Sequence, residues 1–177
     1  MFIYQDYSIR PIDYNDLETL LTWRNSERVH SMMLTNHKIT WDEHCNWYKN
    51  IEKFPVKLNF IYEYKSRSIG YIGYTDYDQN KKTCTLGLYL GEITDLPPKA
   101  GIMIYYVGII YAFNQLKIKK LNMLFLENNN VSLEISRFLG FHSCRDSDYT
   151  IEKNEKNIKV VHLCLSEEEW NKNKKVN

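Results

Sequence analysis

Several short runs in this chain have the residue types and spacing to hold an anion and move a proton. Leu121 to Phe141, LNMLFLENNNVSLEISRFLGF, reads as a strand ending at an Asn cluster, then a helix-period segment and a return strand. Asn128, Asn129 or Asn130 can cap the orphan N–H groups of the first helical turn, and Gly140 can take the left-handed conformation that ends the helix. Upstream, Lys99-Ala100-Gly101 opens another helix and reads as a possible phosphate loop, because first-turn N–H groups and the helix dipole both favour an anion. Arg24 can grip a phosphate or carboxylate with two parallel hydrogen bonds, and His44 titrates near neutrality. Glu127, at the end of the Lys119 to Leu126 strand, is a candidate base. Each also has a plainer explanation: a βαβ corner, a surface lysine, an arginine on nearby carbonyls, a structural histidine, or a carboxylate beside a helix N-terminus.

The elements that must position these residues follow from periodicity. Phe2 to Ile9 reads as a first strand, ending at Arg10-Pro11. Asp13 or Asn15 begins a helix with Leu17, Leu20, Leu21 and Trp23 at helical spacing, and a loop rich in Met and His follows Arg24-Asn25-Ser26. Thr40 and Glu43 form a capping box ahead of Trp47, Tyr48 and Ile51. Trp41, Trp47 and Tyr48 lie at core-like spacing. Leu58 to Tyr64, Ser68 to Tyr77 and Thr83 to Leu90 then read as an antiparallel meander. Leu96-Pro97-Pro98 ends the ladder, and a helix runs from Ile102 to Leu116. Lys119 to Leu126 is the next strand, Val131 to Leu139 the next helix, and Phe141 to Thr150 and Asn157 to Leu165 the last strands. Ser166 and Glu169 cap a C-terminal helix.

Composition narrows the function classes. At 177 residues the chain is expected to form one domain, 1–177, able to bury a core without staples. A net charge of +1 supplies no basic field for general nucleic-acid binding. Cys45, Cys84, Cys144 and Cys164 are widely spaced and read as free thiols in a reducing cytosol, not as a disulfide framework or zinc cluster. The five histidines show no metal-ligand spacing, so no metal is expected. Met1 to Asp6 has neither a basic leader nor an apolar core, and the longest apolar run, Ile102 to Phe113, falls short of the ~20 residues of a membrane span. The expected location is the cytoplasm, without membrane contact. The apolar helix Ile102 to Phe113 is either buried under the sheet or part of a homodimer contact.

Taken with the segments Trp23-Arg24-Asn25, Ile39-Thr40-Trp41-Asp42-Glu43-His44, Leu86-Gly87-Leu88-Tyr89, Tyr111-Ala112-Phe113 and Glu127-Asn128-Asn129, this order of elements resembles the GNAT superfamily of acetyl-CoA-dependent N-acetyltransferases. Within it the likeness is greatest to the N-acetyltransferases of pseudaminic acid biosynthesis, which acetylate the 4-amino group of a UDP-linked 4-amino-4,6-dideoxy sugar. The resemblance implies an α/β fold with a mixed, mostly antiparallel central sheet of about seven strands flanked by helices. It implies a pantetheine arm lying along Leu86 to Leu90, with the backbone near Leu88 or Tyr89 facing the thioester oxygen. It places the cofactor's pyrophosphate on Lys99, Ala100, Gly101, Ile102 and Met103, and the pantetheine region near Asn129 and Ser132. The family's loop has two glycines separated by one position. Gly101 matches the second, whereas Lys99 stands at the first and gives up the more permissive residue.

Acetyl transfer to an amine needs a fixed carbonyl, a donor for the developing oxyanion, a deprotonated amine and a stabilised leaving thiolate. The family often has a Tyr acid seven residues after its Asn, and here that position is Ser136, a far poorer acid. Ser136, a substitute such as Tyr89 or Tyr106, or solvent would then protonate the thiolate. The resemblance makes Arg24, Asn25 and His44 the acceptor-side residues, with His44 and Glu127 as competing proton relays. The expected partner is a nucleotide-linked amino sugar. A protein N-terminus, as for ribosomal-protein acetyltransferases, and a non-catalytic acyl-CoA-binding module are the rival expectations.

Overall fold

The computed structural model describes residues 1–144 and 148–173. It is a mixed α/β fold with a mostly antiparallel sheet of nine strands, not about seven, in the order β1-β2-β3-β4-β5-β6-β9-β7, with β8 on β9. The strands are β1 Phe2–Tyr4, β2 Tyr7–Pro11, β3 Asn59–Tyr64, β4 Arg67–Asp78, β5 Thr83–Leu90, β6 Lys120–Leu126, β7 His142–Ser143, β8 Tyr149–Lys153 and β9 Lys156–Ser166. The helices are α1 Leu17–Asn25, α2 Glu27–His30, α3 Trp41–Glu52, α4 Ala100–Asn114, α5 Asn130–Phe138 and α6 Glu167–Asn173. The chain divides into two compact units interleaved in sequence: Met1–Ser31, His37–Tyr74 and Leu88–Gly108 form the first, and Met32–Asn36, Thr75–Gly87 and Ile109–Asn177 the second.

In the first unit the expected single strand over 2–9 is a hairpin, because Gln5 adopts φ 56° and turns the chain so that Phe2 meets Ile9 and Tyr4 meets Tyr7. Gln-Asp is a poor turn signal, since a side chain rarely enters that backbone region. Asp13 accepts from Asn15 N–H and begins a short 3-10 turn that leads into α1. Leu17, Leu20 and Trp23 recur at helical spacing and pack inward, Leu20 and Trp23 against Ile61 of β3. The Met- and His-rich loop contains the short helix α2. Thr40 and Glu43 cap α3 reciprocally, as the sequence indicates. Tyr48 is buried and Trp47 half-buried, but Trp41, at the helix start, is exposed and meets the ring of His44, 6.5 Å between ring centroids.

In the second unit β5 pairs in parallel with β6 at Thr83 to Thr85, and β6 pairs antiparallel with β9 along its whole length. Alternation along β6 sends Leu121, Met123 and Phe125 inward. The expected strand over 141–150 is two strands, β7 and β8, each on β9. Residues 145–147 of that expectation lie outside the described residues. Gly140, at φ 98°, ends α5 in the left-handed conformation. Nearly all of α4 from Ile104 to Phe113 is buried within the chain, which accounts for its apolar surface without a second copy.

Candidate active site

Arg24, in the last turn of α1, is the charge that most needs explaining. Its Nη1 is buried and has no hydrogen-bond partner. Burial lowers the guanidinium from its ordinary value, and the groups that oppose this are the phenols of Tyr89 and Tyr71, not a carboxylate. A guanidinium stays protonated even so, so Arg24 is a cation faced by neutral rings. Those rings form a continuous wall. Tyr71 stacks on Tyr89 at 5.2 Å between centroids, Trp47 meets Tyr71 edge-on at 6.4 Å, and His44 stacks on Trp47 at 5.1 Å. The Tyr71 hydroxyl donates to Asn59 Oδ1 at 2.5 Å. Burial raises both phenols above their ordinary range, so neither carries charge near neutrality.

His44 is 6% exposed. Burial pushes its pKa down, and a hydrogen bond with the Leu17 backbone acts the other way. Nε2 is buried without a partner, so the Leu17 contact belongs to Nδ1 and Nε2 is the free atom of a neutral ring. Asn25 behaves differently from Arg24. Its Nδ2 donates to Ile39 O at 2.7 Å while its Oδ1 accepts from Ile39 N at 2.8 Å, so both ends of the amide clamp the approach to α3.

The last three residues of β5, Leu88 to Leu90, belong to the same unit and lie beyond the Thr83 to Thr85 stretch that pairs with β6. Gly91 N–H donates to Ile69 O of β4 at 2.9 Å. Alternate residues of an antiparallel pair bond to the same neighbour, so Tyr89 also faces β4 while Leu88 and Leu90 turn their N–H and C=O groups to the opposite side. Gly70 permits the close approach: a Cβ there would lie 2.5 Å from Tyr89 O. Downstream, Lys99 adopts φ 69°, the backbone conformation of a glycine, and its carbonyl accepts from Ile102 and Met103 N–H at 3.0 and 2.9 Å. A Cβ on Gly101 would meet nothing within 4 Å, so the space beside Gly101 in the first turn is open. The first turns of α1, α2, α3 and α6 carry acidic residues, whereas those of α4 and α5 carry none. The dipole at α4 is therefore left uncompensated where the five residues Lys99 to Met103 stand.

In the second unit Asn129 is the cap chosen from the Asn cluster, its Oδ1 accepting from Ser132 N–H at 3.3 Å. Asn129 and Ser132 are half-buried. Ser136 is 0% exposed, and its hydroxyl points to Met123 Sδ at 3.8 Å. Glu127 is exposed but already engaged: its Oε1 accepts from Lys159 N–H at 3.3 Å and its own N–H donates to Lys159 O at 2.9 Å. These contacts fasten the end of β6 to β9.

Sequence reasoning passed over Tyr71 as part of the wall, and over the contacts at the end of β5. There Trp23 lies so close over Gly91 that a Cβ would fall 1.9 Å from the indole, and Trp23 Nε1 donates to Glu92 Oε1 at 3.0 Å. An isolated glycine at a strand end is the available signal of such an approach. Among the described residues no group of three or more His, Cys, Asp or Glu side chains could hold a metal ion, and no helix is long and apolar enough to cross a membrane.

The family described as "Acetyltransferase (GNAT) domain" matches residues 7–142. An uncharacterized protein of Methanocaldococcus jannaschii, MJ1062, is 25% identical over 152 residues, which is 82% of this chain and 31% of that protein, so this chain spans about a third of that relative's length. The spermidine N-acetyltransferase of Vibrio cholerae, solved with CoA and spermine, superposes with a TM-score of 0.83 at 13% identity over 94% of this chain and 99% of that one. The Campylobacter jejuni N-acetyltransferase PseH, solved with acetyl coenzyme A, superposes with a TM-score of 0.65 at 18% identity over 91% and 99% of the two chains. At these identities the likeness is one of fold.

Proposed function

Because this chain belongs to the GNAT acetyltransferase domain family, we propose that it transfers acetyl from acetyl-CoA to a primary amine on an anionic acceptor, the 4-amino group of a nucleotide-linked 4-amino-4,6-dideoxy sugar. The amine nitrogen attacks the thioester carbonyl, the C–S bond breaks, the amine loses a proton and coenzyme A leaves as the thiol. Leu88 N–H, on the free edge of β5, is the proposed donor to the thioester oxygen, with Tyr89 behind it facing β4. Lys99, Ala100, Gly101, Ile102 and Met103 are the proposed seat of the pyrophosphate, and Asn129 and Ser132 the proposed pantetheine contacts on α5. His44 Nε2 is the proposed acceptor of the amine proton. Ser136, buried on a thioether sulfur, and Glu127, engaged by Lys159, are weaker candidates for proton transfer.

The observation that carries the acceptor class is Arg24. A half-buried guanidinium with one buried, unpartnered nitrogen, opposed in its desolvation by phenols and not by a carboxylate, is costly unless an anion completes it. A diphosphate supplies that anion, and the aromatic wall supplies a face for a base or sugar ring. A polyamine supplies only further positive charge. Asn25, tied to Ile39, acts on the acceptor by fixing the loop ahead of α3.

Thiol release from acetyl-CoA in the presence of UDP- and dTDP-linked 4-amino sugars, spermidine and N-terminal peptides is the test. Turnover is expected with a nucleotide amino sugar and not with spermidine. Turnover confined to spermidine or to peptides would overturn the acceptor assignment. A second reading, an acyl-CoA-binding module without turnover, is favoured by the burial of Ser136 where the family often places an acid. Saturable acetyl-CoA binding with no acetylated product on any amine would select it.

A further inference from the structure

The end of β5 is held by a residue that no reading of the acetyl-transfer site has used. Arg28, in α2, reaches 62 residues along the chain to donate from Nη2 to Leu90 O at 2.7 Å, and it reaches Gly91 O at 3.0 Å. Two features of the surroundings make this more than a surface contact. Leu90 is on the side of β5 turned away from β4, so Arg28 occupies a carbonyl of the strand's free edge. The same segment is gripped from α1, where the Trp23 indole covers Gly91 so closely that no side chain fits there, and the indole N–H holds Glu92. Gly91 is thus fixed on three sides: its N–H by Ile69, its carbonyl by Arg28 and its Cα by Trp23.

We propose that Arg28 is a positioning residue that fixes the register of the acyl donor along β5. An extended amide-bearing ligand that adds to a strand edge reads the N–H and C=O groups in order. With Leu90 O taken by the guanidinium, Leu88 offers the last free N–H and C=O pair on that edge, and a ligand cannot slide one two-residue step further. The charge-assisted bond holds Leu90 while leaving Leu88 open. This inference rests on the reading that the thioester arm pairs with Leu86 to Leu90.

The test uses the full chain and acetyl-CoA, which carries the thioester oxygen, as the probe. Amide hydrogen exchange across residues 86–92 is followed with and without acetyl-CoA in wild type, Arg28→Met and Arg28→Lys, alongside melting temperature, the acetyl-CoA dissociation constant and kcat. Wild type is expected to show slowed exchange at Leu88 with acetyl-CoA bound. In Arg28→Met exchange at Leu90 to Glu92 rises, protection at Leu88 is lost or moves along the strand, and kcat falls about tenfold while the dissociation constant changes less than about threefold. A misplaced reacting group is felt mainly in the chemical step. Arg28→Lys, which can reach one carbonyl, recovers part of kcat. Equal protection and equal kcat in wild type and Arg28→Met would overturn the inference alone. So would a kcat loss that follows melting temperature in both variants, since that is a structural role. A wild type in which acetyl-CoA protects no amide of β5 would overturn the underlying reading with it.

Discussion

At the scale of single residues, the acceptor assignment turns on the different fates of two neighbours, Arg24 and Asn25. Asn25 spends both ends of its amide on Ile39, while Arg24 leaves Nη1 buried and unpartnered. A half-buried cation with a buried, unpartnered nitrogen works against folding of the free protein. Arg24→Met is therefore expected to hold or raise the melting temperature while raising KM for the nucleotide sugar roughly 10- to 100-fold, the equivalent of a hydrogen bond to a charged group. A variant that melts lower and binds the acceptor equally well would assign Arg24 to structure. His44 gives a pH signature of known sign. Its folded pKa lies below the ordinary value of 6.5, so as pH falls through about 6.5 the unfolded chain takes up the proton first and stability declines. His162 shifts in the same direction, so the slope must be assigned by comparison. Urea midpoints measured at pH 7 and pH 5.5 are expected to separate less in His44→Gln than in wild type.

At the scale of elements, the start of α4 keeps a glycine's backbone without the glycine. Lys99 sits at φ 69°, a region in which a side chain is disfavoured by about 1 kcal/mol. Lys99→Gly is expected to raise stability by roughly 0.5–1 kcal/mol, read as a higher denaturation midpoint, and to weaken coenzyme A binding if the lysine charge serves the phosphates. A midpoint that falls would show that the conformation is not strained. This position also shows what the sequence could and could not reveal. The Pro-Pro stop, a cap within Asn128 to Asn130, the reciprocal Thr40 and Glu43 pair and the meander were all legible, because each depends on local chemistry within a few residues; the sequence leaves open which Asn caps, and it is Asn129. The hairpin at Gln5 was not, because its turn uses a residue with no turn preference. Nor was the grip of Trp23 and Arg28 on Leu90 to Glu92, since contacts 62 to 69 residues apart leave no periodic trace. The site residues were legible as types, but the difference between Arg24, with Nη1 unpartnered, and Asn25, with its amide clamped by Ile39, is set by packing that leaves no mark on residue type.

At the scale of the whole molecule, the first unit carries the proposed acceptor wall, the free edge of β5 and the open start of α4, while the second carries the capped helix α5. The proposed contribution of each part follows from its physical chemistry: a strand edge for an amide-bearing arm, a helix N-terminus without acidic residues for phosphates, and a half-buried cation for an anionic acceptor. The relative from Methanocaldococcus jannaschii, of which this chain spans 31%, shows a related sequence set within a much longer protein.

Binding of acetyl-CoA is the premise on which every proposed role depends, and thermal unfolding under increasing coenzyme A tests it most directly. A ligand that binds only the native state stabilises it by RT ln(1 + [L]/Kd), about 2.7 kcal/mol at a hundredfold excess over Kd. The melting temperature is expected to climb steadily with coenzyme A concentration, and to climb less when a bulky acidic side chain is placed in the open space at Gly101. A melting temperature unmoved by coenzyme A at any concentration would contradict the proposed acetyl transfer at its first step.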